Sequence, residues 1–414
     1  MKIFSVIVFF FAGCIFYAAQ LNAATLVVGK NKPFTSIKAA LQHCKSGDTI
    51  LVETGLYKEQ EIVIDKTIVL KGIQQPVLDG ENKYQIILIK APNVVIDNFR
   101  LQHSGKSDVN DIAAIKIFHA DNVTISNNII DDAYWGVLTQ YSNNCIITNN
   151  HLKAYAKESS SGNGIHCWKC DNLRITDNTI KGHRDGIYFE FVTNSIVQKN
   201  ISENNLRYGL HFMFSHNDAY ISNIFKQNGS GVAVMYSHGV KMTGNSFIKN
   251  WGDGAYGLLL KEITDGYIYH NHFTNNTIGI HAEGTTRIKV EKNVFNSNGW
   301  AMRVQASCSD NHILYNNFQN NTFDIATNGS LVLNTFDHNY WDKYEGYDIN
   351  KDRIGDVPYR PVSLFSMIVE KNPSAMVLFR SFMVTLFDKT EKVLPGITPE
   401  NLKDNFPLMK PLAL

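Results

Sequence analysis

The sequence predicts an all-β chain, wound as a right-handed parallel β-helix with a helical cap at its N-terminal end and a helical tail. Three observations lead there: an asparagine recurring about every 22 residues, a glycine-led apolar segment at the same period, and ends that depart from the repeat.

The asparagines are Asn128, Asn150, Asn178, Asn200, Asn223, Asn245, Asn271, Asn293, Asn316 and Asn334, nearly all standing two positions before an apolar residue. Their gaps are 22, 28, 22, 23, 22, 26, 22, 23 and 18, a repeat with a few insertions. Gly136, Gly164, Gly186, Gly209, Gly231, Gly257 and Gly279 open the second column, which "AMRVQ" from Ala301 continues. Positions one and three after the glycine are apolar, Thr139 excepted, and positions two and four vary freely. That alternation is a strand with one buried face. The segments are too short and too rich in Asn, Gly and β-branched residues for helical repeats. Asparagine tolerates left-handed turns, and its amides can hydrogen-bond from coil to coil.

The ends depart from this pattern in different ways. Residues 1–24 hold Lys2, the apolar run "IFSVIVFFFAGCIFYAA" and small residues at Ala23 and Ala24, which read as a secretory signal peptide. Cys14 in "FAGC" offers lipidation as the alternative. In residues 25–101 a short amphipathic helix, Thr35 to Cys44, covers the open end of the core, and the first coils run from Thr49 to Leu101. Residues 102–341 carry the repeats, 342–361 an acidic loop, and 362–414 an apolar helical tail for partner docking. The tail's apolar run contains Arg380 and is well short of the ~20 residues that span a bilayer.

A formal net charge of +1 argues against a nucleic-acid partner held by bulk charge. Cys44, Cys145, Cys167, Cys170 and Cys308, an odd and scattered set beyond the signal, define no disulfide framework, and the lone CxxC lacks the second pair a zinc site needs.

Two consecutive repeats read "GLHFMFSHN" and "GVAVMYSHG". Met213 and Met235 share one register, His216 and His238 another, and His211 lies outward beside Met213. Stacked coils hold equivalent positions about 4.8 Å apart, so the two sulfur atoms can converge. Thioether and imidazole ligands suit Cu(I), whereas calcium and magnesium call for oxygen. Surface packing and a plain turn ladder are the alternatives for the same residues. Outward His166, Trp168, Tyr188, Glu190, Lys261, His281, Glu283 and Arg303 extend this face, where a carbohydrate-binding protein or a polysaccharide lyase or epimerase of this fold would hold its substrate. Glu190 and Glu283 stand four coils apart, roughly 19 Å, too far for paired glycosidase carboxylates at about 5–10 Å. A lyase with one base, or a structural scaffold, stays open. Asp348, Asn350, Asp352 and Asp356 alternate like the start of a calcium loop, without the glycine and glutamate of an EF-hand.

"GNGIHCW", "GHRDGIYFEFVTNS", "ENNLRYGLHFMFSHND", "GSGVAVMYSH", "NWGDGAYGLLLKEITD", "NGWAMRVQASCSDN" and "NTFDIATNGS" resemble the NosD family of nitrous oxide reductase maturation proteins. The likeness covers most of the chain after the signal and is strongest from Gly162 to Pro361. It implies a pectin-lyase-like solenoid in the periplasm, associated with the inner membrane through an ABC-type transporter. It also implies a non-catalytic role with a copper lipoprotein chaperone, handling copper or sulfur for the copper–sulfur centre of nitrous oxide reductase. On that reading Phe379, Phe382, Met383, Leu386 and Phe387 of the tail dock against the transporter's membrane subunits.

Overall fold

The computed structural model describes residues 23–107, 110–154, 162–329, 333–393 and 402–414; Cys14 and the expected signal peptide, up to residue 22, lie outside them. The described chain is a parallel β-helix of three sheets with fourteen, twelve and thirteen strands. A typical coil gives Tyr208–Met213 to the twelve-stranded sheet, Ala219–Ile221 to the fourteen-stranded sheet and Ile224–Lys226 to the thirteen-stranded one. Alternation does what it predicts: Leu210 and Phe212 are wholly buried, as are Val232 and Val234 one coil on. Glycine opens these strands because the coils approach closely there. A Cβ on Gly231 would lie 2.3 Å from the carbonyl oxygen of Gly257.

The asparagines form a buried ladder from Asn128 to Asn339, each amide Nδ2 donating to the next Oδ1 at 2.9–3.1 Å. The last expected member, Asn334, is off register. The ladder continues from Asn316 to Asn339, which restores a gap of 23 residues and explains the aberrant 18. Two residues beyond each rung from Asn223 onward an aromatic stack runs Phe225, Phe247, Phe273, Phe295, Phe318 and Trp341, with centroids 4.1–5.6 Å apart. Trp341 completes it only if Asn339 is the rung. A second ladder, Asn205, Asn228, Asn250, Asn276, Asn298 and Asn321, bonds at 2.9–3.4 Å and consists of asparagines outside the column that the sequence period picks out.

Helix α1 (Ile37–His43) caps the first coils with Ile37, Ala40 and Leu41 buried. Ser36 Oγ accepts Ala39 N–H at its start, the Glu59 carboxylate accepts the N–H groups of Ile37 and Lys38, and Lys66 donates to the carbonyls of Leu41 and Cys44 at its end. The cap therefore leaves few of its terminal groups orphaned.

The tail expected over 362–414 is helical in its first part. Helices α2 (Leu364–Lys371) and α3 (Phe382–Val393), with a 3-10 turn Pro373–Leu378 between them, fold on the outer face of the twelve-stranded sheet. Phe365 and Val369 pack there with Ile278, Trp300, Phe323 and Ala326, and Glu370 pairs with Arg303 at 2.9 Å. The chain then returns. Leu402 joins the main core, and buried Asp404 closes the asparagine ladder, its Oδ2 accepting Asn339 N–H, Asn339 Nδ2–H and Trp341 Nε1–H at 2.9–3.0 Å. The extreme C-terminus is thus the solenoid's end cap. A cut after Pro373 would remove Leu402 from the core and Asp404 from the end of the ladder.

Candidate functional site

Strands Tyr208–Met213 and Ser230–His238 pair in register, with Met213 opposite Met235. Both methionines are half-buried on the outer face of the twelve-stranded sheet, within the column Gln140, Trp168, Glu190, Met213, Met235, Lys261 and Glu283. The next column toward the strand start holds His166, Tyr188, His211, Ala233, Leu259 and His281.

After each methionine the chain turns through a left-handed residue, Phe214 (φ 49°) and Tyr236 (φ 54°). Bulky residues rarely adopt that conformation, yet here they stay exposed and stack: Phe191 on Phe214 at 5.3 Å, Phe214 on Tyr236 at 5.1 Å. Ser215 and Ser237 then turn inward before His216 and His238 emerge. The aromatic column thus stands, along the chain, between the methionine and histidine columns.

His216 and His238 do stack, with centroids 4.0 Å apart and planes 6° from parallel. Ring-nitrogen lone pairs lie in the ring planes, so these two run side by side and do not meet at one point. His216 Nδ1 also accepts His238 N–H at 3.3 Å, which leaves the proton of the neutral ring on Nε2. Burial, and then the neighbouring His238, lower the pKa of His216.

His211 requires a correction. It occupies the outward register but is buried, clamped between the rings of Tyr188 and Tyr208, both at 4.8 Å. Its Nδ1 lies 3.1 Å from an Arg207 guanidinium nitrogen and 3.6 Å from buried Asp185. Burial alone would raise Asp185, but hydrogen bonds from His211 and Arg207 outweigh it and hold the carboxyl below its usual range. His211 Nδ1 is therefore engaged with an ion pair, and the ring is buried rather than open beside Met213.

Tyr188 links that cluster to the methionines. Its hydroxyl lies 3.7 Å from Met213 Sδ and 3.4 Å from Glu190 Oε2. Burial and the Glu190 charge push the phenol up to about 12, so it keeps its proton at neutral pH. The signal for this link is present in the sequence: Glu190 and Met213 share one offset from their glycines, Tyr188 and His211 another.

The remaining sites sort by their contacts. Glu283 pairs with Lys261 at 3.2 Å, and four register steps separate it from Glu190. In the acidic loop Asp348 accepts the N–H groups of Asp352 and Arg353, Asp352 accepts those of Ile354 and the Asn350 side chain, and Asp356 accepts Ile349 N–H. These bonds satisfy the loop from within. All five described cysteines are free and buried. Among the described residues no three His, Cys, Asp or Glu side chains gather as a metal site. In the tail, Phe382 is 78% exposed, and Phe379, Met383 and Leu386 are exposed beside it, whereas Phe387 turns inward onto the Trp300–Phe323 cluster. No helix among the described residues is long and apolar enough to cross a membrane.

Known proteins resemble this chain at two levels, sequence and fold. Residues 153–352 match the family described as periplasmic copper-binding protein (NosD). A probable ABC transporter binding protein NosD of Stutzerimonas stutzeri is 26% identical over 405 residues, covering 86% of this chain and 85% of the relative. Its namesake from Pseudomonas aeruginosa is 26% identical over 368 residues, covering 84% and 85%. Among solved structures, the catalytic unit of a GH87 α-1,3-glucanase from Streptomyces thermodiastaticus has a TM-score of 0.62 at 11% identity, covering 78% of this chain and 69% of that one. The A-module of a mannuronan C-5 epimerase from Azotobacter vinelandii reaches 0.55 at 13% identity, covering 73% and 94%. At such identities the structural likeness shows the parallel β-helix alone. The sequence match spans the segment holding Met213, Met235 and their histidine neighbours, and over that segment the chain is similar to the NosD family.

Proposed function

We propose that this chain is a non-catalytic periplasmic copper carrier in the maturation of nitrous oxide reductase, with Met213 and Met235 as its Cu(I)-handling pair. The observation that carries the reading is the register pairing of two half-buried thioethers in a segment matched to a copper-binding family. Soft sulfur donors fit Cu(I) better than any oxygen-seeking ion. His216 and His238 would join the site only after one ring turns, because their lone pairs run parallel. The names of the relatives support an ABC-type transporter as partner. The exposed Phe379, Phe382, Met383 and Leu386 form an apolar patch of the kind that marks a docking surface, and it lies on the same sheet face as the methionines. We assign it to the transporter's membrane subunits.

Anaerobic Cu(I) titration of the purified chain against a chromophoric competitor tests the carrier role. Wild-type protein should bind one Cu(I) and Met213→Leu/Met235→Leu should lose it, with reductase from such cells lacking its copper–sulfur centre. Equal binding by the double variant, or a fully metallated reductase, contradicts the assignment. Polysaccharide cleavage by the same protein would instead establish the enzyme that Glu190 and its neighbours would otherwise not support.

A further inference from the structure

Resting on the copper reading above, we infer that Tyr188 is a positioning residue for Met213: its one hydroxyl proton is shared between the thioether and Glu190, and Glu190 draws it off the sulfur when the sulfur takes an ion. The phenol has two acceptors within reach, Met213 Sδ at 3.7 Å and Glu190 Oε2 at 3.4 Å, and one proton to give. Its ring is clamped between His166 at 4.6 Å and His211 at 4.8 Å, so the O–H rotor is the part free to move. Glu190 and Met213 are direct partners across adjacent strands, which sets the carboxylate beside the sulfur.

A hydrogen bond to the sulfur competes with metal for its electron density. A carboxylate is the stronger acceptor, because the bond to it is charge-assisted, so turning to Glu190 offsets the cost of freeing the thioether. The two methionines differ in this. The residue two before Met235 is Ala233, and its neighbour on the next coil is Lys261, so no hydroxyl stands over its sulfur from either residue. Met235 is the open ligand and Met213 the regulated one.

The test is a double-mutant cycle on the full chain, read as Cu(I) affinity under anaerobic competition. Tyr188→Phe keeps the ring and removes the competing proton, and should leave binding unchanged or tighten it by up to about twofold. Glu190→Ala should weaken binding about tenfold when Tyr188 is present, because the proton then stays on sulfur. In the Tyr188→Phe background it should weaken binding only about threefold, through the lost negative charge alone. Equal losses in both backgrounds, or weaker binding by Tyr188→Phe, overturn the inference. A Met213→Leu arm separates the two levels. Unchanged Cu(I) affinity there removes the copper reading together with the toggle, whereas lost affinity with uncoupled Tyr188 and Glu190 removes the toggle alone.

Discussion

Two columns run along this solenoid at the same spacing and behave oppositely. The interior one repeats a single residue from Asn128 to Asn339, each amide bonded to the next. The exterior one changes at almost every step, Gln140, Trp168, Glu190, Met213, Met235, Lys261, Glu283. Inside, the backbone dictates the side chain, since each buried N–H and carbonyl at the turn must find a partner. Outside, water satisfies the backbone's demands, and residue identity is free to serve chemistry. The sole immediate repeat in the outer column, Met213 and Met235, is therefore informative in a way that no asparagine is.

The contrast is sharpest when each column is cut. Asn245→Ala removes an amide that donates to Tyr220 O and Asn271 Oδ1 and an oxygen that accepts both the backbone and side-chain N–H of Asn223, all at 2.9 Å. Several buried groups lose their partners, so chemical denaturation should report a loss of at least about 3 kcal/mol. Asp404→Ala should cost a similar amount at the C-terminal end. Met213→Leu, by contrast, nearly conserves volume on a half-exposed face and should cost less than about 1.5 kcal/mol. Comparable losses at Asn245 and Met213 would erase the distinction.

A smaller effect tests a buried carboxyl at a different turn of the coil. Asp218 is buried at the turn before Ala219–Ile221, with Oδ1 accepting Ser195 N–H at 2.7 Å and Oδ2 unpartnered among the described residues. Burial, eased by that bond and reinforced by Asp171, pushes its carboxyl up to about 8. The folded state then binds a proton that the unfolded state releases, so this residue's contribution falls as pH rises from the ordinary carboxylate range to about 8. Asp218→Asn should raise the melting temperature at neutral pH and flatten that slope. An unchanged slope would show that the side chain ionises freely.

The smallest expected effect lies outside. His216 has a lowered pKa, first from burial and then from His238. Its unfolded state binds a proton more readily, so stability is full above the ordinary histidine value and declines as pH falls toward the folded one. Its resonance should titrate below the ordinary value, and His238→Ala should move it upward. A downward or absent shift contradicts the stacking at 4.0 Å.

The same division governs what is legible in the sequence. The period and the glycine offset reveal the coil, because packing repeats, and they alone suffice to place Met213 over Met235. Asn334 misleads because one irregular coil moves the rung to Asn339, and only the Phe318–Trp341 stack makes that visible. His211 reads as open because register tells which way a side chain points, not what covers it. Its cover is Tyr208 and Arg207 from the start of its own strand and Tyr188 and Asp185 from the coil before. The returning end cap is illegible for a similar reason: a single aspartate, Asp404, takes the place of an asparagine far from any repeat.

The most direct test of the central claim is X-ray absorption at the copper edge of the chain loaded with one Cu(I). The account predicts a first shell with two sulfur scatterers in the wild type, one in Met213→Leu or Met235→Leu, and none in the double variant. A shell of nitrogen and oxygen alone, or a sulfur count indifferent to these substitutions, would contradict it.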